Sequence, residues 1–298
     1  KDCEKRAHVY RKKTELARDM IDLLAEWLGE RRIIVTADVA YCNDTVTRDL
    51  APQVWLCGAM RPDAVLTEAP PVREGAASSG RPRKRGAVLR KPAHLARDGR
   101  TPWKTCVAEL YGQKRTVEYK ECVGQWYRAC GTRLLKIVVV REQQGKIGVR
   151  VFFSMNPTWT AQQVLETYAQ RWAIEVTFRD MKQQFGFADS SARKQAAVER
   201  TAPFVGLSYS MLILWCALNP CAVTLSAPPL RSWYPHKRGL SFADVLRGAQ
   251  RSLAEYDILD LASDSSNLQK IARAPAPRTP RRDRTRQKRK PDQLKKAA

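Results

Sequence analysis

Histidine is scarce in this 298-residue chain, at positions 8, 94 and 236 only, and none of the eight cysteines stands in a Cys-x-x-Cys pair. Zinc fingers need closely spaced ligand pairs, so a metal-finger architecture is disfavoured. Cysteines 3, 42, 57, 106, 122, 130, 216 and 221 read instead as reduced, mostly buried thiols of a cytosolic protein. No internal repeat is found, which excludes solenoids and arrays. The longest apolar run, Pro203 to Leu218, falls short of the roughly 20 residues a bilayer span requires and carries Ser208, Tyr209 and Ser210. It reads as a buried core helix, and no membrane partner is expected. The opening KDCEKRAHVYRKK holds no apolar run, so no secretory signal is expected and the cytoplasm is the expected location.

Acidic residues are thin where basic ones crowd. The formal net charge is +23; Arg73 to Lys104 carries ten Lys or Arg against two acids, and Lys270 to Lys296 twelve against two. Segments of this kind are solvated and attract polyanions, nucleic acid before anionic membrane. Within the first of them, GRPRK (80–84) suits a DNA minor groove, although a flexible charged loop is the plainer reading.

What is present is enough apolar residue, 44%, for a sizeable core. TELARDMIDLLAEWLGE places Leu16, Met20, Leu23, Leu24 and Leu28 at helical spacing, with Thr14 as N-cap and Gly29 as stop. RRIIVTAD is a β-branched run suited to a strand buried on both faces and ends at Asp38; QVWLCGAM is a second strand. The order helix, strand, loop, strand indicates an α/β layer structure. Residues 103–158 show strand patterning, with a hairpin turn around Gln144–Lys146. Thr160 and Gln163 fit a capping box, opening a helix expected to run unbroken to Gln184. The expected divisions are thus 1–68, a basic flexible linker at 69–102, a β-rich part at 103–158, a helical part at 159–262 and a disordered basic tail at 263–298.

In YAQRWAIEVTFRDMK, residues 168–182, a continuous helix would put Tyr168, Arg171, Glu175, Arg179 and Lys182 within roughly 80° of one another. A solvated, salt-bridged face is the ordinary reading of such a stripe. Here Ile174, Phe178, Met181 and Phe185 flank one side, and Leu165, Trp172 and Val176 the other. Glu175 is therefore expected to lie between apolar walls, partly buried, and to need a counter-charge or metal. Asp38, at the carboxyl end of a strand, sits where open α/β sheets place ligands, though Asp is also common there as a turn or cap residue. The two carboxylates together suit divalent ions held against a phosphodiester.

The spacing Tyr168, two residues, Arg171, three, Glu175, six, Lys182 resembles the Y-x2-R-x3-E-x6-K signature of DDE-type insertion-sequence transposases. VTADVAYCN is similar to that family's second catalytic aspartate segment, at Asp38. The resemblance implies an RNase H-like catalytic core in an α/β fold, with 1–68 and 159–262 as its first and last parts and 103–158 as an inserted β-rich subdomain. It further implies Asp38 and Glu175 as catalytic, metal-holding carboxylates for two Mg²⁺ ions (Mn²⁺ as substitute). Tyr168, Arg171, Arg179 and Lys182 are implied as DNA contacts, and the partners as transposon ends, target DNA and a second copy in synapsis. Trp103, Trp126 and Trp159 are candidates for holding an unstacked base, with core packing the plainer role for each. The family's first aspartate has no counterpart on a strand here. N-terminal truncation is the expectation, with inactivity of this polypeptide by itself, in a bacterial, nucleoid-associated setting. A non-catalytic DNA-binding remnant and an RNA-binding basic protein are the competing readings.

Overall fold

Helical spacing of apolar residues produces α1 (Lys13–Leu28), and Gly29 ends it at a φ of 57°, a left-handed conformation that glycine reaches without a Cβ clash. Thr14, expected as the cap, lies inside the first turn instead. The cap position is Lys12, whose backbone N–H donates to the Glu15 carboxylate at 2.9 Å. Ile21 and Ala25 are the buried line of this helix, whereas Leu16, Met20 and Trp27 are exposed. Arg18 ties it down by donating to the backbone oxygens of Arg48 and Asp49, the latter at 2.8 Å. The computed structural model from which these features are taken describes residues 10–71, 83–141, 148–221 and 239–255.

The β-branched run forms β1 (Ile33–Ala37), and QVWLCGAM forms β2 (Val54–Ala59), parallel to it with Ile33 opposite Val54 and Ala37 opposite Gly58. Four more strands follow: β3 (Lys104–Leu110), β4 (Gln113–Gln125), β5 (Leu134–Arg141) and β6 (Arg150–Ser154). All six join in one mixed sheet, in the order β1-β2-β6-β5-β4-β3, with every pair after the first antiparallel. The α/β class expected from the sequence is therefore observed, and the mixed sheet is consistent with an RNase H-like core.

One expectation gives way, that of a first strand buried on both faces. β1 is an edge strand among the described residues, with Ile34 45% exposed, because it has a hydrogen-bonded neighbour on one side only. The strands of 103–158 are continuous with β1 and β2, since Cys57 pairs with Ser154 across β2 and β6. Residues 83–102, part of the 69–102 stretch, make contacts with the sheet. Leu89 donates its N–H to Leu66 at 2.9 Å, Pro92–Arg97 is helical, and the buried Lys120 ammonium donates to the carbonyls of Leu95 at 3.0 Å and Asp98 at 2.6 Å. Leu89 and Leu95 supply the reason, packing against the main core beneath the sheet. The 144–146 turn, most of the GRPRK tract and the 263–298 tail lie outside the described residues.

β5 runs through the sheet interior with Leu135, Ile137, Val138 and Val139 fully buried. Its neighbours contribute Phe153, Leu56 and Val54 to the same core. Such side chains each stabilise the fold by roughly 1.5–3 kcal/mol. The opposite face is covered by α2 (Ala161–Ala169), which begins at the expected Thr160–Gln163 capping box. Ala161 and Val164 pack on Cys57 and Val138, and Leu165 on Ala108 and Val117.

The expected unbroken helix divides here. After α2, Gln170 and Arg171 form a tight turn in which Arg171 N–H reaches Tyr168 O at 3.0 Å and Ala173 N–H reaches Gln170 O at 3.0 Å. These i→i−3 bonds overwind the chain before α3 (Trp172–Gln184) begins. The molecule comprises two compact units divided between Arg179 and Asp180. In the second unit, α4 (Gln195–Leu218) packs Tyr209, Leu212, Trp215 and Cys216 on Phe242 and Val245 of α5 (Phe242–Glu255). α4 is longer than the apolar run suggested. At 24 residues and a mean hydropathy of 1.6 over its most apolar stretch, it is long and apolar enough to cross a membrane by length and composition alone. The expectation of a buried helix does not hold for it: Val205 alone is buried, because α5 covers one face while Phe204, Leu207, Met211 and Leu214 stand exposed on another.

Candidate active site

Asp38 is the first residue after β1, and caps the 3₁₀ turn Val39–Tyr41 by accepting the Val39 N–H at 2.7 Å. One carboxylate oxygen is thus engaged, and the side chain is exposed. The backbone behind it is held by Cys42, whose buried Sγ donates to the Asp38 carbonyl at 3.3 Å and lies 3.8 Å from that of Ala37. Burial pushes this thiol up, out of reach of ionisation at neutral pH. Gly58, opposite Ala37 on β2, makes room for it, because a Cβ there would come within 2.4 Å of Cys42 Sγ.

Beside Asp38 opens a cleft of about 580 Å³ between the sheet and α2. Its floor is apolar, formed by Val117, Val140, Val151, Phe152 and Leu165. Its rim carries Arg61, Arg115, Arg141, Arg150 and Arg171, with Asp38 the single acid among the lining residues. Arginine outnumbers acid among the lining residues, while Arg61, Arg141 and Arg171 are paired with Asp63, Glu118 and Glu175. Arg141 is held in place by Glu118 at 2.6 Å and by the Trp103 ring at 4.2 Å.

Tyr168 and Arg171, two of the expected DNA contacts, lie on the wall of this cleft with Asp38. The Tyr168 ring packs against Phe152 with centroids 4.5 Å apart. Burial, reinforced by the charge of Asp38, raises its hydroxyl pKa, so the phenol is neutral at physiological pH. Arg171 lies 5.8 Å from that ring and donates to Glu175 Oε1 at 2.9 Å. Burial works against its charge, but hydrogen bonds to Glu175 and Tyr168 outweigh this and hold its pKa above the ordinary value. The Arg171 Nε–H is buried and finds no hydrogen-bond partner among the described residues. Buried donors are seldom left so, and Arg171 is one of the residues lining the cleft.

Glu175 stands in the first turn of α3, paired with Arg171, and does not line the cleft. Its expected apolar walls are closed only in part: Leu165 and Met181 are buried, but Trp172, Ile174 and Phe178 are 47%, 56% and 43% exposed, and the Glu175 side chain is 44% exposed. The tight turn at Gln170–Arg171 lies between Tyr168 and Glu175, so the stripe is not carried on one continuous α-helix. Arg179 and Lys182 continue along α3 as exposed residues outside the cleft lining. No group of three or more His, Cys, Asp or Glu side chains is gathered to hold a metal ion among the described residues. Trp126 and Trp159 pack edge-on against Phe153 and Trp55, and Trp103 lies beneath Lys120 and Arg141, so all three serve the core.

Sequence reasoning found Arg171 but missed Arg61, Arg115, Arg141 and Arg150 of the rim. Their positions follow strand alternation and pairing, with Val140 opposite Arg150 and Ala108 opposite Arg115. The alternation is visible in the sequence, but the pairing that converges these side chains is not.

The model of one protein family, the transposase DDE domain, matches residues 10–211. No curated protein matches the chain.

Proposed function

Because the chain belongs to the DDE-domain transposase family, we propose that it is the catalytic portion of an insertion-sequence transposase of the YREK group, cutting element ends and joining them to target DNA. A DNA substrate and nucleotidyl transfer with DNA cleavage are general properties of that family, as is the use of divalent metal. The single observation that carries the reading for this chain is the Arg171 Nε–H. It is a buried, unpartnered donor on a charged guanidinium, at the wall of an arginine-rimmed cleft that also presents Asp38. A phosphate oxygen satisfies such a donor, and an arginine already fixed by Glu175 offers it with little loss of side-chain freedom.

Asp38 and Glu175 offer hard carboxylate oxygens, of the kind Mg²⁺ or Mn²⁺ accepts. They fit such ions in kind, and are the residues that would hold a pair of them. When bound, such ions favour an attacking oxygen and stabilise the leaving one. The chain's own residues do the rest. Asp38 is fixed by its own cap and by Cys42. Tyr168, neutral and wedged on Phe152, presents a hydroxyl to the backbone at the cleft, Arg171 grips a phosphate, and Arg179 and Lys182 contact DNA further along α3. Two carboxylates fall short of a full ligand set, so this polypeptide by itself is expected to be inactive, and a third is expected in the full reading frame. Synapsis of two ends calls for a homodimer, in the cytoplasm at the nucleoid.

The same shortage among the described residues favours a second reading, a DNA-binding remnant without chemistry. The test is metal-titrated cleavage of DNA carrying the element's ends by the full reading frame, beside its Glu175→Gln variant. Metal-dependent nicking that the variant loses while still retaining DNA supports the enzyme. Binding without nicking by the unaltered protein at any metal concentration leaves only the remnant.

A further inference from the structure

The loop joining β3 to β4 has two residues, Tyr111 and Gly112, closed by the pairing of Leu110 with Gln113. Both have positive φ, 55° and 74°. That is the pattern of the tight hairpin turn in which Asn-Gly is favoured, because a side chain at a left-handed position crowds its own backbone. Tyrosine is a poor choice for this turn. Nor does burial explain it, since Tyr111 is 57% exposed. A locally unfavourable residue in a regular turn points to a role outside the turn.

The ring reaches Trp172. The two aromatic systems meet edge to face, with centroids 6.0 Å apart and planes at 80°, and Trp172 is itself 47% exposed. Trp172 is the first residue of α3, three before Glu175. Close behind the turn the same hairpin rests on α2: Leu165 packs with Ala108 and Val117, and the Glu109 N–H donates to the Glu166 carboxylate at 3.0 Å. One stiff hairpin therefore touches both helices on either side of the Gln170–Arg171 break. That break contains no proline or glycine to fix its angle. We propose that Tyr111 is a positioning residue: its ring braces Trp172 and sets the direction of α3, and with it the place of the Glu175 carboxylate relative to the cleft that holds Asp38. What this does for catalysis rests on the transposase reading; the bracing itself does not.

Two substitutions separate the ring from the turn. Tyr111→Asn installs the residue the turn prefers and removes the brace, whereas Tyr111→Phe keeps the ring. Tyr111→Asn folds with an unchanged or higher Tm, while amide exchange across residues 172–179 speeds up about two- to tenfold, the range expected for loss of one aromatic pair. In the full reading frame it raises the Mn²⁺ concentration for half-maximal cleavage by a similar factor, and Tyr111→Phe restores both values. Unchanged exchange in Tyr111→Asn overturns the proposal, as does a Phe variant as defective as the Asn variant. Weakened DNA binding with unchanged exchange overturns it too, in favour of a ring that touches substrate directly. Faster exchange with an unaltered Mn²⁺ requirement overturns the positioning role. If the unaltered protein shows no metal-dependent cleavage, the transposase mechanism falls while the exchange measurement still decides the brace.

Discussion

β5 and α4 are both rich in apolar residues, and they fare differently. β5 buries Leu135, Ile137, Val138 and Val139 completely, whereas α4 buries one residue of 24. Hydrophobicity alone does not bury a segment; it must be covered on each face it presents. β5 has hydrogen-bonded neighbours on both sides, α2 across one face and the Leu56–Leu66 core across the other. α4 is covered by α5 along one stripe. The cleft with Asp38, Tyr168 and Arg171 is mounted on the well-covered element, so its geometry inherits the stiffness of a packed sheet.

The contrast can be broken first through chemistry. Glu175→Gln or Asp38→Asn in the full reading frame is expected to reduce metal-dependent cleavage about a thousandfold, roughly 4 kcal/mol of transition-state stabilisation, with Tm unchanged because both side chains are exposed. Cleavage of end DNA together with a melting curve checks both halves. Next, Ile137→Ala in β5 is expected to destabilise the sheet unit by about 2–5 kcal/mol in chemical denaturation, and Leu214→Ala in α4, 60% exposed, by less than about 0.5 kcal/mol. Equal losses would show that α4 is covered as thoroughly as β5.

Gly58→Ala sharpens the link between sheet and site. The added Cβ meets Cys42 Sγ, so a loss of about 1–3 kcal/mol is expected, and Gly58→Ala combined with Cys42→Ala recovers part of it. Across the stripe itself, Arg171→Ala is expected to weaken affinity for end DNA more than Lys182→Ala does, by about 1–2 kcal/mol against a few tenths, as read by titration at fixed salt.

The smallest effect concerns the hairpin. The Glu109 N–H, with help from Gln162, holds the Glu166 carboxylate below its usual pKa. A group depressed on folding contributes stability above its unfolded value, about 4.3, and loses it as pH falls through the lower folded value. Glu166→Gln should therefore lower stability slightly at neutral pH, leave low pH almost untouched, and so flatten the acid limb of the stability–pH curve, as read by denaturation at a series of pH values.

Much of this protein was legible without coordinates. Helical and strand periodicities placed α1, β1 and β2, capping chemistry placed the start of α2, and the spacing of Tyr168, Arg171, Glu175 and Lys182 pointed to the family that the domain match shows. These are local properties, fixed by side-chain period and by turn and capping chemistry within a few residues. Tertiary structure alone decided that residues 103–158 share a sheet with β1 and β2, that the helix breaks at Gln170–Arg171 without proline or glycine, and that five arginines distant in sequence line one cleft with Asp38. Strand pairing joins residues about a hundred positions apart, as Cys57 and Ser154 are, and no local period records which strands will meet.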